Sequence, residues 1–289
     1  MIDIIVPTYN RYDDVVKFIE EINKQTYQHF QVVFIDDNGS VDIETIISKE
    51  GHRFKYIKLD ENRGQAYARN HAAKQSTADF LFFLDDDAWF MNDTALEKFV
   101  SEADTYECDG WMFDVKEPNK ELLSLRIKKN NGDAIGEFVA CACAFRRKSF
   151  EEIGGFLPFF HSYGEETEVV MRLILQGKKM IFLPLIPVFH NYEPGARSRE
   201  WMNRFLFNSM RNDIYIVMLH YPLFLIPVYT LLKYFSRLIW ILKVAENKFN
   251  AFRKTTAGLF YSIRSYHKIG KYRSTLTLKQ FNYWLSIRW

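Results

Sequence analysis

Cysteine is scarce in this chain: Cys108, Cys141 and Cys143 are the only three among 289 residues. Their number and spacing suit neither a zinc site nor a disulfide framework. They read instead as small buried hydrophobes in a reducing compartment. Proline (8) and glycine (13) are few, and no low-complexity tract or internal repeat occurs, so the composition is that of a folded protein. The N-terminus has no basic region and no cleavable apolar segment, running from Met1 straight into Ile2-Asp3-Ile4-Ile5-Val6, which points to a cytosolic domain. Acidic residues are nearly absent from one region. Residues 201–289 hold 14 Lys and Arg against 2 Asp and Glu, a balance of +12, whereas residues 1–200 hold 24 against 34, a balance of −10. The basic region also carries 20 of the 48 aromatics. An acidic globular part (1–200) joined to a basic, aromatic part (201–289) requires two explanations.

The centre of the acidic part is Phe80-Leu81-Phe82-Phe83-Leu84-Asp85-Asp86-Asp87. Five apolar residues in a row suit a strand buried on both faces. Three carboxylates follow at its carboxyl end, where open α/β sheets bind ligands. Adjacent carboxylates repel, so the cluster makes sense opposite a cation or several donors. Before it, Ile2–Val6, Gln31–Ile35 and Phe54–Leu59 are apolar strands, with helical patterns at 13–25, 41–49 and 65–74 between them. Asp13 or Asp14 would cap the first helix. The β-α-β-α-β-α-β order predicts an α/β fold with a mainly parallel sheet flanked by helices. Strand ends then bring Thr8–Asn10, Asp36–Ser40 and Asp85–Asp87 to one edge and one cleft. Residues 1–90 make a nucleotide-like half, and 91–200 a second half. In that second half a helix is expected at 93–103, strands at 110–115, 138–145, 179–184 and 188–190, a loop or hairpin over the site at 116–133, and a helix at 164–177.

Val6-Pro7-Thr8-Tyr9-Asn10-Arg11, Asp36-Asp37-Asn38-Gly39-Ser40, Asn62-Arg63-Gly64 with Ala68-Arg69-Asn70, and Leu84-Asp85-Asp86-Asp87 follow one another in an order and spacing that resemble family-2 glycosyltransferases. Gly154-Gly155-Phe156, Glu165-Glu166 with Arg172, Gly177 and Pro184 to His190 are similar to that family's acceptor half. The resemblance covers about residues 2–200 and fits bacterial enzymes of polysaccharide or lipopolysaccharide assembly, including rhamnosyltransferase-like members. It implies the GT-A fold, a nucleotide-diphosphate sugar donor (UDP- or dTDP-linked), a divalent metal (Mn²⁺ or Mg²⁺) and inversion at the anomeric carbon. The resemblance makes Asp87 the direct metal ligand, with His190 as a second ligand, and puts Asp85 and Asp86 beside the ribose and sugar. It also has Asp37 accept the base N3–H with support from Asp36, Pro7, Thr8 and Tyr9 contact the base, and Arg69 lie near the nucleotide. Glu166 is the implied base, with Glu165 as the alternative. The family usually carries aspartate at the second position of this pair, so the glutamate is a departure.

The chemistry is coherent on its own terms. A departing diphosphate concentrates negative charge that an aspartate-bound cation neutralises. Displacement needs a base for the acceptor hydroxyl on the opposite face. Glu168 and Arg172 make an architectural i,i+4 pair. Arg197, in a basic run from Asn191 to Arg199, would fold over the diphosphate. A sugar nucleotidyltransferase would need a Gly- and Lys/Arg-rich triphosphate loop after the first strand, and Pro7–Arg11 is a poor one. A catalytically inactive sugar-nucleotide-binding scaffold is disfavoured by the joint presence of Asp85, Asp87, Glu166 and His190.

In the basic part, Ile214–Leu232 is a mostly apolar run broken by His220, Pro222 and Pro227, flanked by Arg204, Arg211, Lys233, Arg237 and Lys243 with aromatics among them. This composition suits helices at the interface of an anionic membrane, ahead of a core or homo-oligomer contact and of a true span. The expected partners are the donor, a glycan or lipid-linked acceptor and that membrane's cytoplasmic face, and not nucleic acid.

Overall fold

The computed structural model describes residues 1–160, 163–192 and 199–288. Its core is an eight-stranded sheet in the order β3-β2-β1-β4-β7-β6-β8-β5. The strands are β1 (Ile2–Thr8), β2 (Phe30–Asp36), β3 (Phe54–Lys58), β4 (Phe80–Leu84), β5 (Ala88–Phe90), β6 (Gly110–Lys116), β7 (Ala142–Arg146) and β8 (Met180–His190). Pairs β1–β2, β2–β3 and β1–β4 are parallel, while β7 runs antiparallel to both β4 and β6. The first half is therefore a four-stranded parallel sheet, and the antiparallel strand marks the start of the second half. The apolar runs in β1 and β4 are covered on both faces, as their composition requires.

Helices α1 (Tyr12–Ile22), α2 (Glu44–Ile47), α3 (Gln65–Ala73), α4 (Ala95–Glu102), α5 (Leu123–Ile127), α6 (Arg147–Glu152) and α7 (Glu165–Leu175) connect these strands. Helix α1 buries Val15, Phe18, Ile19 and Ile22, one apolar stripe at helical spacing. Its N-cap is Arg11 with no side-chain cap bond. Asp13 and Asp14 lie instead in the first turn, where they face the helix dipole, and Asp14 binds the Arg11 guanidinium at 2.8 Å. Behind β4 the side chains of Phe80, Phe82, Phe99, Trp111 and Phe113 pack mainly edge to face; the Phe82 and Phe99 centroids are 4.6 Å apart.

Three expectations for the second half need correction. The strand expected at 138–145 begins at Ala142, because its partner β4 ends at Leu84, the residue paired with Ala142. The two strands expected at 179–184 and 188–190 are one strand, β8, whose register against β6 shifts between Phe113 and Asp114. Pro184 and Pro187, which lack an N–H for the ladder, bracket that irregularity. The stretch 116–133 contains the helix α5, and β5 and α6 are short elements that periodicity gave no sign of.

Helices α8 (Arg199–His220), α9 (Ile226–Val244), α10 (Lys248–Arg264), α11 (Tyr266–Ile269) and α12 (Leu278–Ile287) complete the chain. The apolar run at 214–232 is thus not one element, since α8 stops at His220 just before Pro222. Residues of this region join the main core: Ile216, Val217, Leu219, Tyr221, Phe281 and Trp284 are all buried in it. The Trp284 indole N–H donates to Gly136 O at 2.9 Å, and Gln280 Nε2 donates to Ile174 O at 3.1 Å, so α12 docks against α7. Removing a buried side chain of that size costs about 3–5 kcal/mol.

Candidate active site

The carboxyl ends of β1, β2 and β4 open into one cleft of about 1220 Å³. Backbone chemistry fixes its floor. Asn10, with a left-handed φ of 56°, uses its Oδ1 to accept from the Ser40 and Val41 N–H groups, which joins the end of β1 to the turn after β2. A Cβ at position 39 would lie 2.9 Å from both Asn10 Oδ1 and Asp36 Oδ1, so a larger residue there would push these two side chains off their turn hydrogen bonds.

Asp36 is committed to this turn. It accepts from Gly39 N at 2.6 Å and from the Tyr56 hydroxyl at 2.8 Å, and it does not line the cleft. The tyrosine hydroxyl is pushed up by burial and by that carboxylate. Pro7 and Thr8 are likewise interior parts of β1, leaving Tyr9, half exposed, as that strand's contribution to the cleft. Asp37 does line it. Its two oxygens accept from the Arg63 and Gly64 N–H groups at 2.7 and 2.8 Å, so the same side chain shapes the turn before α3 and faces the cleft.

The three aspartates after β4 have different surroundings. Asp85 Oδ1 accepts from Arg69 at 2.5 Å. That guanidinium is wholly buried, lies 5.8 Å from the Phe156 ring centroid, and keeps an Nε with no hydrogen-bond partner among the described residues. Neighbouring Asn70 exchanges two bonds with the Phe156 backbone at 2.7 and 2.9 Å, which anchors α3 to the Gly154–Phe156 turn. Asp86 is pushed up to about 8, by burial first and then by the charge of Asp87 and Asp85, while Thr8 and Arg11 oppose the shift. Asp87 faces two cations: His190 Nε2 at 3.4 Å and an Arg11 nitrogen at 3.6 Å. Against the cost of burial, Asp87 and then Cys141 raise the His190 imidazole to about 11. A proton on this ring and a metal ion beside it answer the same carboxylate, so they are alternatives.

Metal-ligand chemistry is present. One ligand atom each from Asp85, Cys141 and His190 lies within 4.8 Å of the others, with Asp87 against the same histidine. Carboxylate and imidazole donors in this number fit Mn²⁺ or Mg²⁺.

Glu165 and Glu166 open α7 and both line the same cleft. Gly164 precedes them in the left-handed region (φ 89°), facing Ile216 and Asn212 of α8. The Asn212 side-chain N–H₂ holds Tyr163 O at 2.6 Å. Helix α8 therefore sets where the acidic pair sits. Burial and the Glu166 charge raise Glu165 well above the usual carboxylate range, and its buried Oε2 has no partner among the described residues. Burial also raises Glu166, with its own backbone N–H and then Arg69 opposing.

The structure thus brings Tyr9, Asp37, Arg69, Asp85, Asp86, Asp87, His190, Glu165 and Glu166 into one cleft. Arg197 lies outside the described residues. Arg11, Lys120, Cys141, Trp201 and Arg204 also line the cleft and were not singled out as site residues from sequence. Arg11 lay within a recognised block, and Arg204 was visible only as one of many basic residues.

The profile of the family described as "Glycosyl transferase family 2" matches residues 3–159. An uncharacterised glycosyltransferase of Haemophilus influenzae is 38% identical over 93 residues, 32% of this chain and 31% of its own length. The O-antigen chain rhamnosyltransferase WbaN of Salmonella anatum is 27% identical over 231 residues, 71% of each chain. Several relatives, the Haemophilus protein among them, are spanned over less than two thirds of their length. Among solved structures, the mannosyltransferase PcManGT of Pyrobaculum calidifontis, in complex with GDP-Man and Mn²⁺, superposes with a TM-score of 0.61 at 16% identity, covering 99% of this chain and 78% of that one.

Proposed function

The chain belongs to glycosyl transferase family 2, and from that premise we propose that it transfers a sugar, with inversion, from a UDP- or dTDP-linked donor to a hydroxyl of a glycan or lipid-linked acceptor in cell-surface polysaccharide assembly. Its fold is the mixed α/β GT-A fold of glycosyltransferases. One observation carries the proposal: Asp37, the Asp85–Asp87 cluster with His190, and the Glu165–Glu166 pair face a single cleft from four different elements.

Tyr9 and Asp37 hold the base end of the donor. Asp87 and His190 are the residues that would hold Mn²⁺ or Mg²⁺, a cation that neutralises the departing diphosphate when bound. Asp85, oriented by Arg69, and Asp86 line the ribose and sugar side. Arg11, Lys120 and Arg204 supply further positive charge along the cleft. Glu166 takes the proton of the acceptor hydroxyl as its oxygen bonds to the anomeric carbon, and the bond from that carbon to the diphosphate breaks toward the diphosphate. Burial raises both carboxyls, and of the two we assign the base to Glu166, with Glu165 as the alternative.

In this reading membrane docking belongs to the exposed faces of α9 and α10 and not to all of residues 201–289, since Trp201 and Arg204 of α8 line the cleft. Val228, Leu231, Leu232, Phe235, Ile239 and Leu242 follow helical spacing on α9, and all are exposed. On α10 Phe249, Phe252, Phe260 and Ile263 do the same. The segment 223–244 is the one helix among the described residues that is long and apolar enough to cross a bilayer. Lys233 and Arg237, however, pair with Asp213 of α8 at 2.8 and 3.2 Å, which holds α9 lengthwise against the protein. An apolar face on a part with a balance of +12 suits the interface of an anionic bilayer at its cytoplasmic side. A panel of UDP-, dTDP- and GDP-sugars with Mn²⁺ or Mg²⁺, scored for binding and slow hydrolysis, tests the donor assignment; binding of none would reject it.

A further inference from the structure

We propose that Cys141 is a thiolate ligand in the metal site, so that the cleft holds thiophilic divalent cations such as Zn²⁺, Cd²⁺ and Co²⁺ more tightly than carboxylate and imidazole alone would. This rests on the reading of Asp87 and His190 as metal ligands and adds a donor of different chemistry.

Strand register carries the argument. The antiparallel β4–β7 ladder ends at the pair Leu84↔Ala142. One step further along each strand lie Asp85 and Cys141, which are therefore neighbours across the end of the ladder. The β5–β8 ladder begins at Ala88↔His190, and its extension is closed by the Asn191 N–H donating to Asp87 O at 2.8 Å. Two ladders thus end beside each other, and their last residues supply two carboxylates, an imidazole and a thiol. The ligand atoms of Asp85, Cys141 and His190 lie within 4.8 Å of one another, and Asp87 Oδ1 is 3.4 Å from His190 Nε2. Tetrahedral coordination needs ligand atoms roughly 3.5 Å apart, so closure shortens their separations by at most about 1.3 Å.

The other two thiols have different surroundings. Cys143 is wholly buried, with its thiol toward Ala140 O, and Cys108 lies beside Arg146; neither lines the cleft. Cys141 is buried yet does line it. When a metal–sulfur bond forms, the thiol proton leaves to solvent. Softness then decides the outcome: thiolate adds much to Zn²⁺, Cd²⁺ or Co²⁺ and almost nothing to Mg²⁺.

The test is a Co²⁺ titration of the reduced full chain without nucleotide, followed by absorption, for the unaltered protein and for Cys141→Ser, Cys141→Ala and Cys108→Ser, all with matching circular-dichroism spectra. The expected result is an intense near-ultraviolet sulfur-to-cobalt charge-transfer band that both Cys141 variants lose and Cys108→Ser keeps. The weak visible cobalt bands should persist throughout. Cd²⁺ affinity should fall on the order of 100-fold in Cys141→Ser, since even residues behind the ligands cost 10–100-fold, while Mg²⁺ affinity stays the same. Visible bands without a charge-transfer band, or a band that survives in Cys141→Ser, overturn the thiolate ligand and leave the carboxylate–histidine site standing. No cobalt signal of either kind overturns both.

Discussion

Glu168 Oε1 and His220 Nε2 meet at 3.0 Å, and both side chains are completely buried. The pair joins α7, which carries the acidic pair at its start, to the last residue of α8. The other ring nitrogen faces Ser274 O at 2.9 Å, so the histidine ties three segments together. Glu168 also binds Arg172. Burial alone would raise the Glu168 carboxyl, but Arg172 and His220 outweigh it and hold the group below its usual range.

The first prediction concerns that joint. Glu168→Gln takes the carboxylate away from Arg172, which costs about 3–5 kcal/mol, while His220→Ala leaves Glu168 on Arg172 and costs about 1–3 kcal/mol. Chemical denaturation should show this as a lower midpoint. Because the Glu168 carboxyl is lowered, its contribution is fully present above the ordinary carboxylate pKa and disappears as pH falls through the lower folded value. The penalty in Glu168→Gln should therefore shrink in acid. A penalty unchanged between neutral and strongly acidic pH would contradict this account.

Arg69 offers a second. Asp85→Asn removes the one carboxylate bonded to a wholly buried guanidinium, which should destabilise the fold by about 3 kcal/mol. Asp87→Asn, whose cationic neighbours are more accessible, should cost less. Equal melting temperatures for the two variants would mean that Arg69 does not depend on Asp85.

The third separates binding from chemistry. Glu166→Gln should keep donor affinity and lose about 10²–10⁴-fold in transfer rate. In the unaltered enzyme the base works when ionised, and burial raises it. The rate should thus rise with pH through a value above the ordinary carboxylate range. An active Glu166→Gln variant with the same pH profile would move the role to Glu165.

A fourth addresses the membrane. Leu232→Glu with Phe235→Glu lies on an exposed face, so stability should hold while sedimentation with anionic vesicles is lost. Raising salt should weaken binding of the unaltered protein. Undiminished sedimentation of the double variant would remove α9 from the docking surface.

Much of this was legible in sequence because strand ends in a parallel sheet share an edge. Once 2–6, 31–35, 54–59 and 80–84 are strands, Thr8–Asn10, Asp36–Ser40 and Asp85–Asp87 have to converge. What periodicity could not show is which way each carboxylate turns. Asp36 and Asp37 are adjacent and chemically identical, yet one is spent on Gly39 and Tyr56 while the other reaches the cleft. Cys141 was hidden for a similar reason. Its place beside Asp85 follows from antiparallel register, which is set by contacts distant in sequence. The split at His220 was hinted at by Pro222, but the apolar composition on either side masked it.

The central claim is that one cleft binds a nucleotide diphosphate through a cation held at Asp87. Its most direct test is calorimetric titration of UDP into the unaltered protein and into Asp87→Ala, each with and without Mn²⁺. The account predicts that Mn²⁺ strengthens binding at least about tenfold in the unaltered protein, a difference of about 1.4 kcal/mol, and that this gain vanishes in Asp87→Ala. An equal Mn²⁺ gain in both proteins would contradict it.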